Sequence, residues 1–88
     1  MSQVILIYTT DPWHSFSSRE LFAAATTETQ RDRLIRRYLR KHLEEKPSRE
    51  DIDEAMRQIQ ESGQTQNLSE KADLEIDTET IDTNIILD

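Results

Sequence analysis

The chain has 88 residues, 34% hydrophobic and 33% charged, with no cysteine, a single glycine and a formal net charge of −7. That length supports one small domain, residues 1–88, and folding would bury only about 60% of the surface of the unfolded chain, which argues against a deep enzyme cleft. The lack of thiols excludes disulfides and thiolate metal sites, and the net negative charge opposes unspecific attraction to nucleic acid.

The charge is unevenly distributed. Residues 1–46 carry eight Lys and Arg against six acids, whereas residues 47–88 carry three against twelve. The first half is basic and the second strongly acidic. The apolar run Val4-Ile5-Leu6-Ile7-Tyr8 has no basic residues before it and no small-residue cleavage site after it, so it does not read as a signal peptide, and no stretch reaches membrane-spanning length. A cytoplasmic setting is the expectation, with no membrane partner.

Val4 to Thr10 is rich in β-branched and aromatic residues and predicts a strand. Val4, Leu6 and Tyr8 alternate with Ile5 and Ile7, so both of its faces are apolar and the strand belongs in the centre of a sheet. Asp11-Pro12 ends it, because proline cannot donate to a ladder.

The stretch after Trp13 supports two conformations. Ser17 and Glu20 have capping-box spacing, Phe16 and Leu21 are placed for a hydrophobic staple, and Ala23-Ala24-Ala25 favours helix. Alternatively, residues 20–26 form a strand that returns antiparallel to the first through a long hairpin loop. The pattern Asp11-x-Trp13-x-Ser15-x-Ser17-Ser18-x-x-Leu21, followed by Thr26-Thr27 and an amphipathic helix, resembles a group of small bacterial and mobile-element proteins with no assigned activity. The resemblance covers roughly the first half of the chain. It implies a strand, a loop containing Trp and Ser, a second strand and then a helix, and it decides the expectation in favour of strand.

Thr27 and Gln30 have capping-box spacing and open a helix predicted over about residues 28–43. Leu34, Ile35, Tyr38, Leu39, His42 and Leu43 gather on one side of it, and Arg33, Arg36, Arg37, Arg40 and Lys41 on the other. Lys46-Pro47 interrupts the pattern. Ser48 then caps a second helix with an apolar stripe of Ile52, Ala55, Met56 and Ile59, and Gly63 ends it as a left-handed residue. Residues 64–71 form a polar loop. Beyond the loop, Leu74 and Ile76 alternate on even positions, but Ile81, Thr83, Ile85 and Leu87 on odd ones. That shift of parity predicts a bulge or turn near Thr78-Glu79-Thr80.

The sum is an α+β fold, β-β-α-α-β(β), with an α-hairpin on one face of a small sheet; the alternative is β-α-α-α-β. In this arrangement Ile5 and Ile7 lie on the uncovered face, which calls for a homodimer or another protein partner.

Candidate sites are few. Asp11, His14, Ser15, Ser17 and Ser18 carry the residue types of a hydrolase, but their spacing is too local for a triad and no Gly-rich turn supplies an oxyanion hole. Capping by the serines and anchoring by Trp13 and Phe16 explain them more simply. His14 and His42 lack metal-ligand spacing, and His42 suits a helix C-terminus. No cofactor or metal is expected, and the chain does not read as an enzyme. The candidate interaction surface comprises Trp13, His14 and Phe16 of the loop with Arg33, Arg36, Arg37 and Arg40 of the basic helix face. That basic face is either a platform for phosphate or acidic partners, or an ordinary solvated face whose arginines answer the acidic second helix. The reading that follows is a small non-enzymatic interaction protein; the alternatives are a nucleic-acid-binding module and an acidic mimic of nucleic acid.

Overall fold

The computed structural model describes residues 3–41, 43 and 46–82. Its elements run β1 (Gln3–Thr10), a short 3-10 turn (Phe16–Ser18), β2 (Glu20–Ala25), α1 (Glu28–Lys41), α2 (Arg49–Ser62), α3 (Ser69–Ala72) and β3 (Glu75–Asp82). This is the β-β-α-α-β order expected. The four-residue α3 begins inside the stretch read as a polar loop. His42, the odd-position residues Thr83, Ile85 and Leu87, and Asn84 between them lie outside the described residues.

The sheet is antiparallel in the order β2-β1-β3, so the doubly apolar β1 takes the centre. The alanine-rich segment is a strand because β1 offers it a full antiparallel partner, and such pairing overrides a helix propensity worth tenths of a kcal/mol per residue. Its register places Ile5 against Ala25 and Ile7 against Ala23, then slips so that Tyr8 meets Leu21. The extra residue is Phe22. The bulge lets Phe22 as well as Ala23 turn toward α1, where the Phe22 ring stacks on Tyr38 with centroids 4.3 Å apart. Burial, aided by the charge of Glu20, pushes the Tyr38 hydroxyl above its ordinary pKa.

Two expectations about the sheet are corrected. First, β3 pairs with β1 without interruption from Gln3↔Asp82 to Thr10↔Glu75, so no bulge or turn occurs near Thr78–Thr80. The change of parity has another cause: Ile76 faces the helices and Ile81 faces the opposite side of one straight strand. Second, Ile5 and Ile7 are the covered pair. They join Ala25, Ile35, Leu39, Leu43, Ile52, Ala55, Met56, Ile59, Leu68 and Ile76 in the core, while Val4, Leu6 and Tyr8 occupy the open face. Periodicity separates two apolar faces without saying which one the helices choose. Here Ile76 lies beside Thr9, on the side of Ile7, and draws the core to that side.

Caps fix the helix ends. At α1, Thr27 Oγ1 accepts from Gln30 N at 3.1 Å, and the Gln30 side chain reaches back past Thr27 to accept from Thr26 N at 2.9 Å. At α2, Ser48 and Asp51 form the reciprocal box, with Asp51 N donating to Ser48 Oγ and Ser48 N donating to the Asp51 carboxylate. Gly63 closes α2 at φ 78° and donates to Ile59 O at 2.9 Å. Its own carbonyl accepts from Thr78 N and Thr78 Oγ1, which ties the end of α2 to the outer edge of β3.

Candidate functional site

The loop joining β1 to β2 is built around the Asp11 carboxylate. Asp11 Oδ1 accepts from Ser15 N at 2.9 Å and Trp13 N at 3.1 Å, and these bonds, that from Ser15 foremost, hold its pKa below the usual carboxylate range. Ser18 Oγ accepts from Asp11 N and donates to Ser15 O. The predicted capping box of Ser17 and Glu20 does not form, because Glu20 begins a strand. The serines close the loop on itself instead.

Two consequences follow for the loop's larger side chains. His14 takes a left-handed backbone, φ 57°, and turns its ring inward. Its Nε2 lies 2.9 Å from Thr65 O, and since a carbonyl only accepts, Nε2 carries a hydrogen. Its Nδ1 lies 3.3 Å from Asp77 Oδ1, a contact with ion-pair character when the ring is protonated. Trp13 and Phe16, in contrast, point outward and are 82% and 81% exposed. The candidate loop residues therefore divide: two are presented to solvent and one is a tie to the body of the protein.

Arg19 and β3 extend this cluster over the open face. Asp77, only 2% exposed, accepts from Arg19 Nε and Nη2 at 3.3 and 3.2 Å, and Glu79 accepts from Arg19 Nη1 at 3.0 Å. The guanidinium lies 4.6 Å from the centre of the Tyr8 ring and 5.1 Å from that of Phe16. Burial opposes its charge, but the bonds to Glu79 and Asp77 prevail and raise its pKa. Two positions before Asp77 on β3, Glu75 is 1% exposed and its carboxylate accepts from Thr65 Oγ1, Leu68 N and Ser69 N, so it caps α3 from a strand.

This geometry bears on the hydrolase reading. The carboxylate that meets His14 is Asp77, not Asp11, and a hydroxyl that meets it is Thr10 Oγ1, 3.4 Å from the same Nδ1 that faces Asp77. A relay needs hydroxyl and carboxylate on opposite ring nitrogens. Moreover Thr10 Oγ1 already donates to Asp11 O at 2.9 Å.

The open face between these groups is apolar. Leu21 pairs with Tyr8 and is 55% exposed, Ala24 pairs with Leu6, and Val4 pairs with Ile81. Arg19 lies over its Tyr8 end and the 65–69 segment holds Glu75, while Val4 and Leu6 are half-buried. Leu21, Phe16 and Trp13 are the large exposed hydrophobic residues among those described, and Phe16 reaches this face through its contact with Arg19.

The arginines Arg33, Arg36, Arg37 and Arg40 lie on the side of α1 turned from the core, as the periodicity predicts. They share no contact with Trp13, His14 or Phe16, so the candidate residues form two surfaces. Sequence reasoning passed over Arg19, Glu75 and Asp77. The available signal was the straight-strand reading of residues 75–82, which aligns Glu75, Asp77 and Glu79 on one face and so demands a cation beside them. Among the described residues no group of His, Asp and Glu is arranged to hold a metal ion, and no helix is long and apolar enough to cross a membrane. Compared with protein families, curated proteins and solved structures, the chain matches none.

Proposed function

We propose that this protein acts by protein–protein contact rather than catalysis, and that the contact is a twofold pairing of two copies through the open face of the sheet. One observation carries the reading: Phe16 and Leu21 are strongly exposed beside the half-buried apolar row of Val4, Leu6 and Tyr8, and Trp13 is exposed on the same loop as Phe16. Water contact with such a row is unfavourable by about 25 cal/mol per Å2.

A second copy suits this face on charge grounds. The ionic groups on it are engaged within the chain, Arg19 lying between Asp77 and Glu79, so a twofold contact brings an apolar centre against an apolar centre. Pairing through the β2 edge is the poorer geometry, because the bulge at Phe22 breaks the regular row of edge groups. The cysteine-free composition supports a reducing, cytoplasmic setting.

The test is sedimentation velocity on the full chain from low to high micromolar concentration. Dimerisation that is weakened by Leu21→Glu and by Phe16→Ala supports the proposal. A monomer at high micromolar concentration, or a dimer indifferent to both substitutions, overturns it.

A further inference from the structure

α1 and α2 flank a cleft of about 500 Å3 lined by Arg36, Arg40, Arg49, Ile52 and Asp53. A groove of about 230 Å3 lined by Arg33, Arg36, Arg37, Arg40 and Lys41 adjoins it through two shared arginines. The bland reading of these cations is that they answer the acids of α2. Among the described residues Arg36 does so, its Nη1 lying 3.3 Å from Asp53 Oδ1. Glu54 and Glu61 are held by Arg57 of their own helix, whose hydrogen bond keeps Glu54 below the usual carboxylate range, and Asp51 closes the Ser48 capping box. Among the described residues Arg40 and Arg49 have no acidic partner. Like charges gathered in a concave site repel one another and concentrate anions there.

We propose that this cleft binds a small phosphate ligand, a phosphate monoester or short polyphosphate. Arg40 and Arg49 approach it from different helices, and Asp53 braces Arg36 as the third cation. Planar guanidinium forks match phosphate oxygens in pairs, which a surface of lysines does not. The volume suits a small molecule, and Ile52 supplies an apolar floor for the organic part of a monoester. An extended nucleic-acid strand fits less well, because the acidic Asp53 lines the cleft and the whole chain carries −7.

The test is calorimetric titration of the full chain with sodium tripolyphosphate and with phosphoserine at low ionic strength. Saturable one-site binding is expected. Arg40→Gln and Arg49→Gln should each weaken it by about tenfold, and Arg33→Gln, outside the cleft, by less than about threefold. Arg49→Lys, which keeps the charge but loses the fork, should fall between wild type and Arg49→Gln; a folded Arg49→Lys variant also separates loss of binding from loss of structure. The proposal is overturned if tripolyphosphate does not bind at millimolar concentration, if Arg33→Gln and Arg49→Gln weaken binding equally, or if a single-stranded oligonucleotide binds more tightly per phosphate than tripolyphosphate does.

Discussion

Arg19 approaches Asp77 Oδ2 with two nitrogens, Nε at 3.3 Å and Nη2 at 3.2 Å, across 58 positions of sequence. Asp77 is almost fully buried, so its charge depends on Arg19 for compensation. Arg19→Ala should therefore destabilise the fold by about 2–4 kcal/mol, because it leaves a buried carboxylate without its main cation. The double replacement Arg19→Met with Asp77→Leu should recover most of that loss. Urea denaturation of the two single variants and the double variant checks both statements; additive losses would contradict them.

The corrected facing of β1 is tested by two truncations. Ile7 is fully buried beneath the helices, whereas Leu6 lies on the open face. Ile7→Ala should cost about 3 kcal/mol and Leu6→Ala less than about 1.5 kcal/mol, measured by denaturation of the monomer at low concentration. Equal costs would mean that both faces are covered.

Gly63 has little room for a side chain. A Cβ there would meet Thr78 Oγ1 at 3.0 Å, and that hydroxyl cannot swing away without losing its 2.8 Å bond to Gly63 O. Together with the positive φ, this makes Gly63→Ala destabilising by about 1–2 kcal/mol. Thermal unfolding would register it as a clear drop in Tm.

Glu75 is the buried acceptor that organises the 65–69 segment. Glu75→Gln replaces one carboxylate oxygen with a donor that faces donors, and should cost about 2–3 kcal/mol. Amide exchange at Leu68 and Ser69 should accelerate before global unfolding. Unchanged protection at those two amides would show that the carboxylate is dispensable to the turn.

Asp11 gives the loop a pH dependence of known sign. Its folded pKa is depressed, so the contribution of its carboxylate is present above the unfolded value near about 4 and disappears as pH falls through the lower folded value. The difference in stability between wild type and Asp11→Asn should be largest above that range and close in stronger acid. Carbon-detected NMR titration of the carboxyl group should give an Asp11 midpoint below that of an unstructured aspartate.

What the sequence determined by itself was much of what local pattern sets, though the Ser17–Glu20 capping box and the bulge near Thr78–Thr80 did not form. The central strand follows from its doubly apolar run, the boundaries of α2 from the Ser48 cap and Gly63, and the two sides of α1 from spacing at 100° per residue. Leu21–Ala25 was legible only as a choice, because its helix propensity is local and its strand pairing is not. Tertiary structure alone decided which apolar side of β1 the helices cover. It also turned His14 inward to Thr65 and Asp77, and left Arg40 and Arg49 facing a cleft without counterions among the described residues. The physical reason is common to all three. Alternation and charge runs specify which residues share a face, but not which surface will meet that face; that depends on contacts between segments far apart in the chain.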